Sequence, residues 1–330
     1  KMKITMEHGS GGLATGRLIS EIFEKSFANP VLSEMEDSAV VPGSGRLALT
    51  TDSFVVDPLE YPGGNIGRLC VCGTVNDLLM RGASPRYLTC GFILQEGADT
   101  EQLIRITTSM AETASEAGVT IVAGDTKVVQ GSGGLFINTA GVGFVPEGRE
   151  ISSTECAPGD AIIVSGTLGE HHAAILSSRM KIENSISSDN APLTDIVGSL
   201  MDSGISVHTM RDVTRGGLAT VLRELAAAGG VSMEIEQKDL PVDRQVESFC
   251  GLLGLDPLYM GNEGKMVAMV SAADSDRAVE IIRNSRYGEN ARIIGHVTER
   301  SEGGKLTMLT RIGGRRILEI LQGEGLPRIC

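Results

Sequence analysis

Apolar positions along this chain fall into two kinds of run. Over residues 13–27 they recur at helical spacing, with Leu18, Ile19, Ile22 and Phe23 on one face. Residues 65–80 are apolar almost all round, which predicts a buried helix ending before Gly82, and 100–117 predicts a second long helix. Between them lie runs of strand length at 46–51, 53–56, 86–94, 119–123 and 135–145, the first two separated by a break at Asp52. Several are apolar on both faces. The first half therefore reads as α/β or α+β.

Residues 146–159 (Pro-Glu-Gly, then Ala-Pro-Gly-Asp) are turn-rich and mark the boundary between a domain at 1–150 and another at 151–321. Beyond it the pattern predicts strands at 161–165, from 232, at 266–270 and at 293–297. Helices are expected at 170–178, 193–203, 217–228, 242–253, 275–284 and, last and shortest, 313–321. Residues 322–330 hold two glycines and a proline and predict a mobile tail, whose extended length would be roughly 30 Å.

Composition narrows the function classes. A net charge of −13 argues against a basic surface for nucleic acid. It leaves nucleotides open, because carboxylates can hold Mg²⁺ and the metal carries the phosphates. No apolar run approaches the ~20 residues of a membrane span, and the first residues lack the apolar stretch of a signal peptide. The 42 glycines are too many for a helical bundle, and no repeat accompanies them. The six cysteines form no dense framework, so free thiols in a reducing cytoplasm are expected.

Candidate chemistry sits at the ends of the apolar segments, where Asp37, Asp52, Asp77, Asp125 and Asp212 recur. A carboxylate beside buried structure is unfavourable unless a cation balances it. Each one alone reads more readily as a turn former or helix cap. Five together could converge on Mg²⁺, and Asp77, inside an apolar helix, most resists the capping reading. Gly9-Ser10-Gly11-Gly12 precedes a helix and offers backbone N–H groups to a phosphate, although neither a Walker A nor a GxGxxG pattern occurs. Lys127 and Glu263, read as lying in short polar loops, are candidate proton-transfer groups. Cys330 follows Pro327-Arg328-Ile329 and is expected to be exposed, with a guanidinium favouring its thiolate and its own carboxylate opposing it. Cys70 and Cys72 are expected in the core, and His171-His172 at the surface.

Taken in order, residues 7–12 (Glu-His-Gly-Ser-Gly-Gly), 36–40 (Glu-Asp-Ser-Ala-Val), 51–54 (Thr-Asp-Ser-Phe), 76–78 (Asn-Asp-Leu), 124–128 (Gly-Asp-Thr-Lys-Val), 211–217 (Arg-Asp-Val-Thr-Arg-Gly-Gly), 261–264 (Gly-Asn-Glu-Gly) and the ending Pro-Arg-Ile-Cys resemble the HypE family of hydrogenase maturation factors. HypE falls in the superfamily that includes aminoimidazole ribonucleotide synthetase. The aspartate motifs are shared across that superfamily, and the ending singles out HypE.

The resemblance implies an N-terminal half-barrel sheet with helices, which pairs with a second subunit in a homodimer, and a C-terminal α/β sandwich. It implies ATP in a groove formed by Gly9, Ser10, Gly11, Gly12, Asp52, Asn76, Asp77, Asp125, Thr126 and Asp212. Mg²⁺ would be held by Asp37, Asp52, Asp77, Asp125 and Asp212. The implied activity is carbamoyl dehydration. HypF loads a carbamoyl group on the Cys330 sulfur, ATP phosphorylates the amide oxygen, and loss of phosphate leaves an S-cyanate. The cyanide then passes to iron on a HypC–HypD complex, for nickel–iron hydrogenase. Glu263 and Lys127 occupy the positions of the bases, and Glu263 is the better choice because Lys127 would have to be neutral. Competing readings are a small-molecule kinase, selenophosphate synthetase or purine-pathway ligase of the same superfamily, or a non-catalytic carrier. A kinase has no use for a terminal thiol, and a carrier has none for five aspartates.

Overall fold

The computed structural model describes residues 3–5, 8, 17–34, 41, 43–321 and 329–330. A short helical stretch ends in α1 (Glu24–Phe27). It is followed by β1 (Arg46–Phe54), the ribbon β2 (Glu60–Tyr61) and β3 (Gly64–Asn65), α2 (Ile66–Leu79), β4 (Ser84–Gln95), α3 (Thr100–Ala117), β5 (Thr120–Val129) and β6 (Leu135–Val145). These strands make a four-stranded sheet in the order β1-β6-β4-β5. Only β4 and β5 run parallel, as they must when α3 crosses between them.

Helices α2 and α3 pack together, and α2 also lies on β1 and β6. Along β1 the inward positions alternate with exposed ones, and Leu47 and Leu49 stand 52% and 71% exposed on the opposite side. The sheet thus has one covered and one open face.

The second half supplies β7 (Ala161–Val164), α4 (Glu170–Met180), α5 (Thr194–Asp202), β8 (Val207–Asp212), α6 (Gly217–Gly229), β9 (Val231–Glu236) and α7 (Arg244–Leu253). After these come β10 (Met266–Val270), α8 (Ser275–Asn284), β11 (Arg292–Arg300), β12 (Lys305–Leu309) and β13 (Arg315–Ile317). Its strands form one seven-stranded sheet, β13-β12-β9-β11-β7-β10-β8. One buried cluster runs from the N-terminal sheet through α2 and α3 into Leu193, Ile196, Met210 and Met266 of the second half. That is why α2 is apolar all round: the first sheet covers one side, and α5 and β8 meet another. The packing brings the ends of β1, α2 and β8 to one seam between the halves.

Three local expectations are corrected. Asp52 does not break a strand: β1 runs through it, with Asp52 opposite Thr139. β5 continues to Val129, so Asp125, Thr126 and Lys127 lie in a strand and not in a loop. The expected helix at 313–321 is the edge strand β13, because Gly313, at φ +85°, closes a tight turn in which the Thr310 N–H donates to the Gly314 carbonyl at 2.8 Å. Cys70 and Cys72 are fully buried. Among the described residues no helix is long and apolar enough to cross a membrane.

Candidate active site

At the seam lies a cavity of about 360 Å³, lined by Asp52, Asp77, Asp212, Glu263 and Cys330, with Arg211 and Arg215 among its other walls. Asp52 points from the covered face of β1 toward α2. It meets that helix at Gly73, where an added Cβ would stand 3.6 Å from Asp52 Oδ2 and 2.9 Å from the Phe54 ring. Asp77 is one helical turn further on and so shares the face of Gly73. Its Oδ2 accepts from Thr50 Oγ1 at 2.8 Å. Asp212 ends β8 opposite Met266, the first residue of β10, so the loop before β10 is drawn to the same place.

That loop is fixed by Asn262 and Asp189. Asn262 Nδ2 donates to the Val213 carbonyl at 2.9 Å, and its Oδ1 accepts from the Gly169 N–H at 2.7 Å. The N–H groups of Glu263 and Gly264 donate to the two oxygens of Asp189 at 3.2 and 3.0 Å. At Gly264 a Cβ would lie 2.0 Å from the Asp189 carbonyl oxygen, so only glycine allows this approach. The loop leaves Glu263 4% exposed.

Burial without enough positive charge governs the electrostatics. It pushes the carboxyls of Asp52 and Asp77 above the usual range. Asp212 is pushed up to about 7, first by burial and then by the Asp77 charge. Glu263 is raised well above the usual range, by burial and by the charges of Asp212, Asp189 and Asp52. Burial and the Glu263 charge push the Cys330 thiol up to about 12. Among the described residues no three His, Cys, Asp or Glu side chains are grouped closely enough to hold a metal by themselves. Three aspartates facing one cavity still form a set of hard oxygen donors that a divalent cation would relieve.

Cys330 is not the exposed thiol expected from the sequence. Ile329 beside it is 4% exposed, and its Cδ1 would stand 2.4 Å from a Cβ at Gly261. His171 Nε2 contacts the Ile329 carbonyl oxygen at 2.8 Å. The expected surface position of His171-His172 is likewise corrected, since they are 0% and 5% exposed. His171 lies under the β2–β3 ribbon, edge-on to the Tyr61 ring at 5.4 Å, and His172 packs on the Gly261 loop.

The remaining predicted residues divide. Gly9, Ser10, Gly11, Gly12 and Asp37 lie outside the described residues. Asn76 is buried away from the cavity, its amide spent on the Ala191 carbonyl at 3.1 Å and the Leu193 N–H at 2.9 Å. Asp125, Thr126 and Lys127 are not brought to the cavity of their own chain. Register explains it: Asp52 pairs with Thr139, Thr139 with Cys90, and Cys90 with Gly124. Paired residues share a face and the next residue takes the other. Asp125 and Lys127 therefore project from the open face, three strands away. There Lys127 Nζ contacts both Asp125 oxygens at 2.7 Å, and this bond holds the Asp125 carboxyl below its usual range.

Sequence reasoning singled out neither Asp189 nor His171 as a site residue. Arg211 and Arg215 stand within the 211–217 motif but were given no role of their own. Asp189 sits in a run without periodicity and gave no signal.

Two family models match the chain: AIR synthase related protein, N-terminal domain, over residues 35–145, and its C-terminal domain over residues 157–306. Carbamoyl dehydratase HypE of Cupriavidus necator is 49% identical over 99% of this chain and 95% of its own length. The chain belongs to the HypE family. A crystal structure of HypE in complex with ATP matches with a TM-score of 0.94 at 44% identity, covering 98% of this chain and 99% of the other. A chain of the HypE–HypF complex matches at 0.81 and 45% identity, over 92% and 99% of the two chains. Membership in the HypE family sets aside the kinase, selenophosphate synthetase and ligase readings. In this HypE fold the carboxylate cavity and the docked cysteine occupy one seam.

Proposed function

We propose that this chain is an ATP-dependent carbamoyl dehydratase, converting a carboxamide on the Cys330 sulfur into an S-cyanate. The observation that carries the reading is the meeting of Cys330 with Asp52, Asp77, Asp212 and Glu263 in one cavity. An amide oxygen is a poor leaving group, and phosphorylation makes it a good one. The amide oxygen takes the γ-phosphoryl group of ATP, ADP leaves, and one N–H proton goes to Glu263. The C–O bond then breaks, phosphate departs with its electron pair and takes the second N–H proton, and carbon and nitrogen are left triply bonded.

Glu263 is assigned as the base because it lines the cavity together with Cys330, where its carboxylate can take the amide proton, and burial raises its affinity for that proton. Arg215 and Arg211 face the developing phosphate charge. Asp52, Asp77 and Asp212 would hold Mg²⁺, and their raised pKa values fit a site that requires a cation. When bound, that ion screens the triphosphate charge. Asp37 and residues 9–12 are assigned to the same Mg–ATP by resemblance.

Asp125, Thr126 and Lys127 belong to a second contribution. The open face of the first sheet also carries the exposed Leu47, Leu49, Ile93 and Val129, an apolar surface that a second copy would cover. We assign a homodimer formed through it, in which Asp125 and Lys127 orient and balance charge and do not transfer a proton. HypF is the proposed carbamoyl donor and HypC–HypD the proposed cyanide acceptor, in the cytoplasm. The division is an ATP-binding and dimerisation domain at 1–150, an α/β domain at 151–321 and a tail at 322–330.

The test is mass spectrometry of the carbamoylated chain incubated with ATP and Mg²⁺. The adduct should lose one water, and Cys330→Ala should abolish product. An adduct whose mass is unchanged by ATP would reject the reaction.

A further inference from the structure

His171 lies at the start of α4, more than 150 residues before the tail, yet both of its ring nitrogens are engaged around the end of the chain. Nδ1 lies 2.7 Å from Ser188 Oγ and Nε2 lies 2.8 Å from the Ile329 carbonyl oxygen. The hydrogen positions follow from the partners. A carbonyl only accepts, so Nε2 carries the proton. The Asn190 N–H donates to Ser188 Oγ at 3.1 Å, which leaves the Ser188 hydroxyl to donate to Nδ1. The result is a directed chain from the Asn190 N–H through Ser188 and the imidazole to the carbonyl one residue before Cys330. Burial holds this imidazole below its usual pKa, in keeping with the neutral tautomer.

Further contacts surround this chain of hydrogen bonds. Asn190 Nδ2 donates to the Tyr61 hydroxyl at 3.1 Å, and the Tyr61 ring meets the imidazole edge-on. The Ser188 N–H donates to the Pro62 carbonyl at 2.8 Å. Between Ser188 and Asn190 stands Asp189, whose carboxylate receives the Glu263 and Gly264 N–H groups. One three-residue segment thus fixes both the imidazole that grips the tail and the loop that carries Glu263. On the far side of Ile329, the absence of a side chain at Gly261 makes room for its Cδ1. Withdrawal of the tail would strip a fully buried N–H of its acceptor, an unfavourable exchange until water enters.

We infer that His171 is a positioning residue: its Nε2–H, oriented by Ser188, grips the Ile329 carbonyl and so seats the Cys330 sulfur beside Glu263 and the aspartates. The inference rests on the dehydratase reading for its consequence, and on geometry alone for the grip.

The experiment separates the two. The other five cysteines are buried, so iodoacetamide labelling of the native protein reports Cys330 alone. His171→Ala should raise the labelling rate by about tenfold and slow single-turnover dehydration of the carbamoylated chain by a similar factor. Loading by HypF should be undiminished. His171→Gln restores an N–H near the Nε2 position and should stay close to the parent in both measurements. His171→Asn reaches only the Nδ1 position and should behave like alanine. Equal labelling of the Gln and Asn variants overturns the inference, as does dehydration unaffected in His171→Ala. Should the alanine variant unfold, all six cysteines will label, and the Gln–Asn comparison then decides. If the parent chain shows no ATP-dependent loss of water, the proposed reaction fails, while the labelling series still tests the grip.

Discussion

Two groups of acidic residues drawn from similar motifs end in opposite circumstances. Asp52, Asp77 and Asp212 face a buried cavity, where burial pushes their carboxyls up, helped at Asp77 and Asp212 by the charge of neighbouring aspartates. Asp125 stands on the open face of the same first sheet, bonded to Lys127, and its carboxyl is held down. In the first group Arg211 and Arg215 offset burial only in part. The second supplies its own counter-ion. A motif therefore does not define an electrostatic role; the face of the strand and the depth of the seam do.

The largest effect should come from removing charge at the centre of the first group. Asp212→Asn should lower ATP-dependent dehydration by about a hundredfold or more, while raising the thermal midpoint of the nucleotide-free protein at pH 8. The sign follows from linkage. In the fold Asp212 titrates at about 7, against roughly 3.9 for a free aspartate. Between these values the folded state binds more protons than the unfolded one, so stability falls as pH rises through the window and stays low above it. The variant escapes that loss. Its advantage should be absent near pH 4 and complete above pH 7, at about 2–4 °C for each kcal/mol of burial cost and repulsion relieved. Midpoints that track each other from pH 4 to pH 8 would break the contrast.

Glu263→Gln should come next, slowing single-turnover loss of water by about a hundredfold with nucleotide affinity preserved. Chemical quench of the preloaded chain reads this directly, and an undiminished rate would move the base elsewhere. The smallest effect belongs to the exposed pair. Lys127→Ala should change stability by no more than about 1 kcal/mol, as for other surface ion pairs, and denaturant titration checks it. A larger destabilisation would mean that this pair is not self-sufficient and would narrow the difference between the two groups.

How much was legible follows from the same geometry. The unbroken apolar character of α2 announced a helix covered on several sides, and the strand runs gave most of both sheets. The motif residues Asp52, Asp77, Asp212 and Glu263 were recognised and do share a cavity. Asp125 was recognised too, but a one-residue step along a strand reverses the face, and no spacing rule reads that across three ladders. His171 and His172 looked exposed because their cover is distant in sequence: the β2–β3 ribbon and Ser188 for His171, the Gly261 loop for His172. Two glycines and a proline made the final residues look unattached. The groove at Gly261 and the grip of His171 are long-range facts, and they seat residues 329 and 330 regardless. Gly313 was read as the start of a helix, whereas its left-handed backbone closes a hairpin.

The seating of Cys330 in a cavity of its own polypeptide has a kinetic consequence. Thiol and cavity share one backbone, so their meeting is a first-order event whose frequency is set by tether length and not by how much protein is present. Dilution leaves the encounter unchanged. A chain that carries no carbamoyl group still places its own sulfur in the cavity, and foreign thiols compete against a neighbour that never diffuses away.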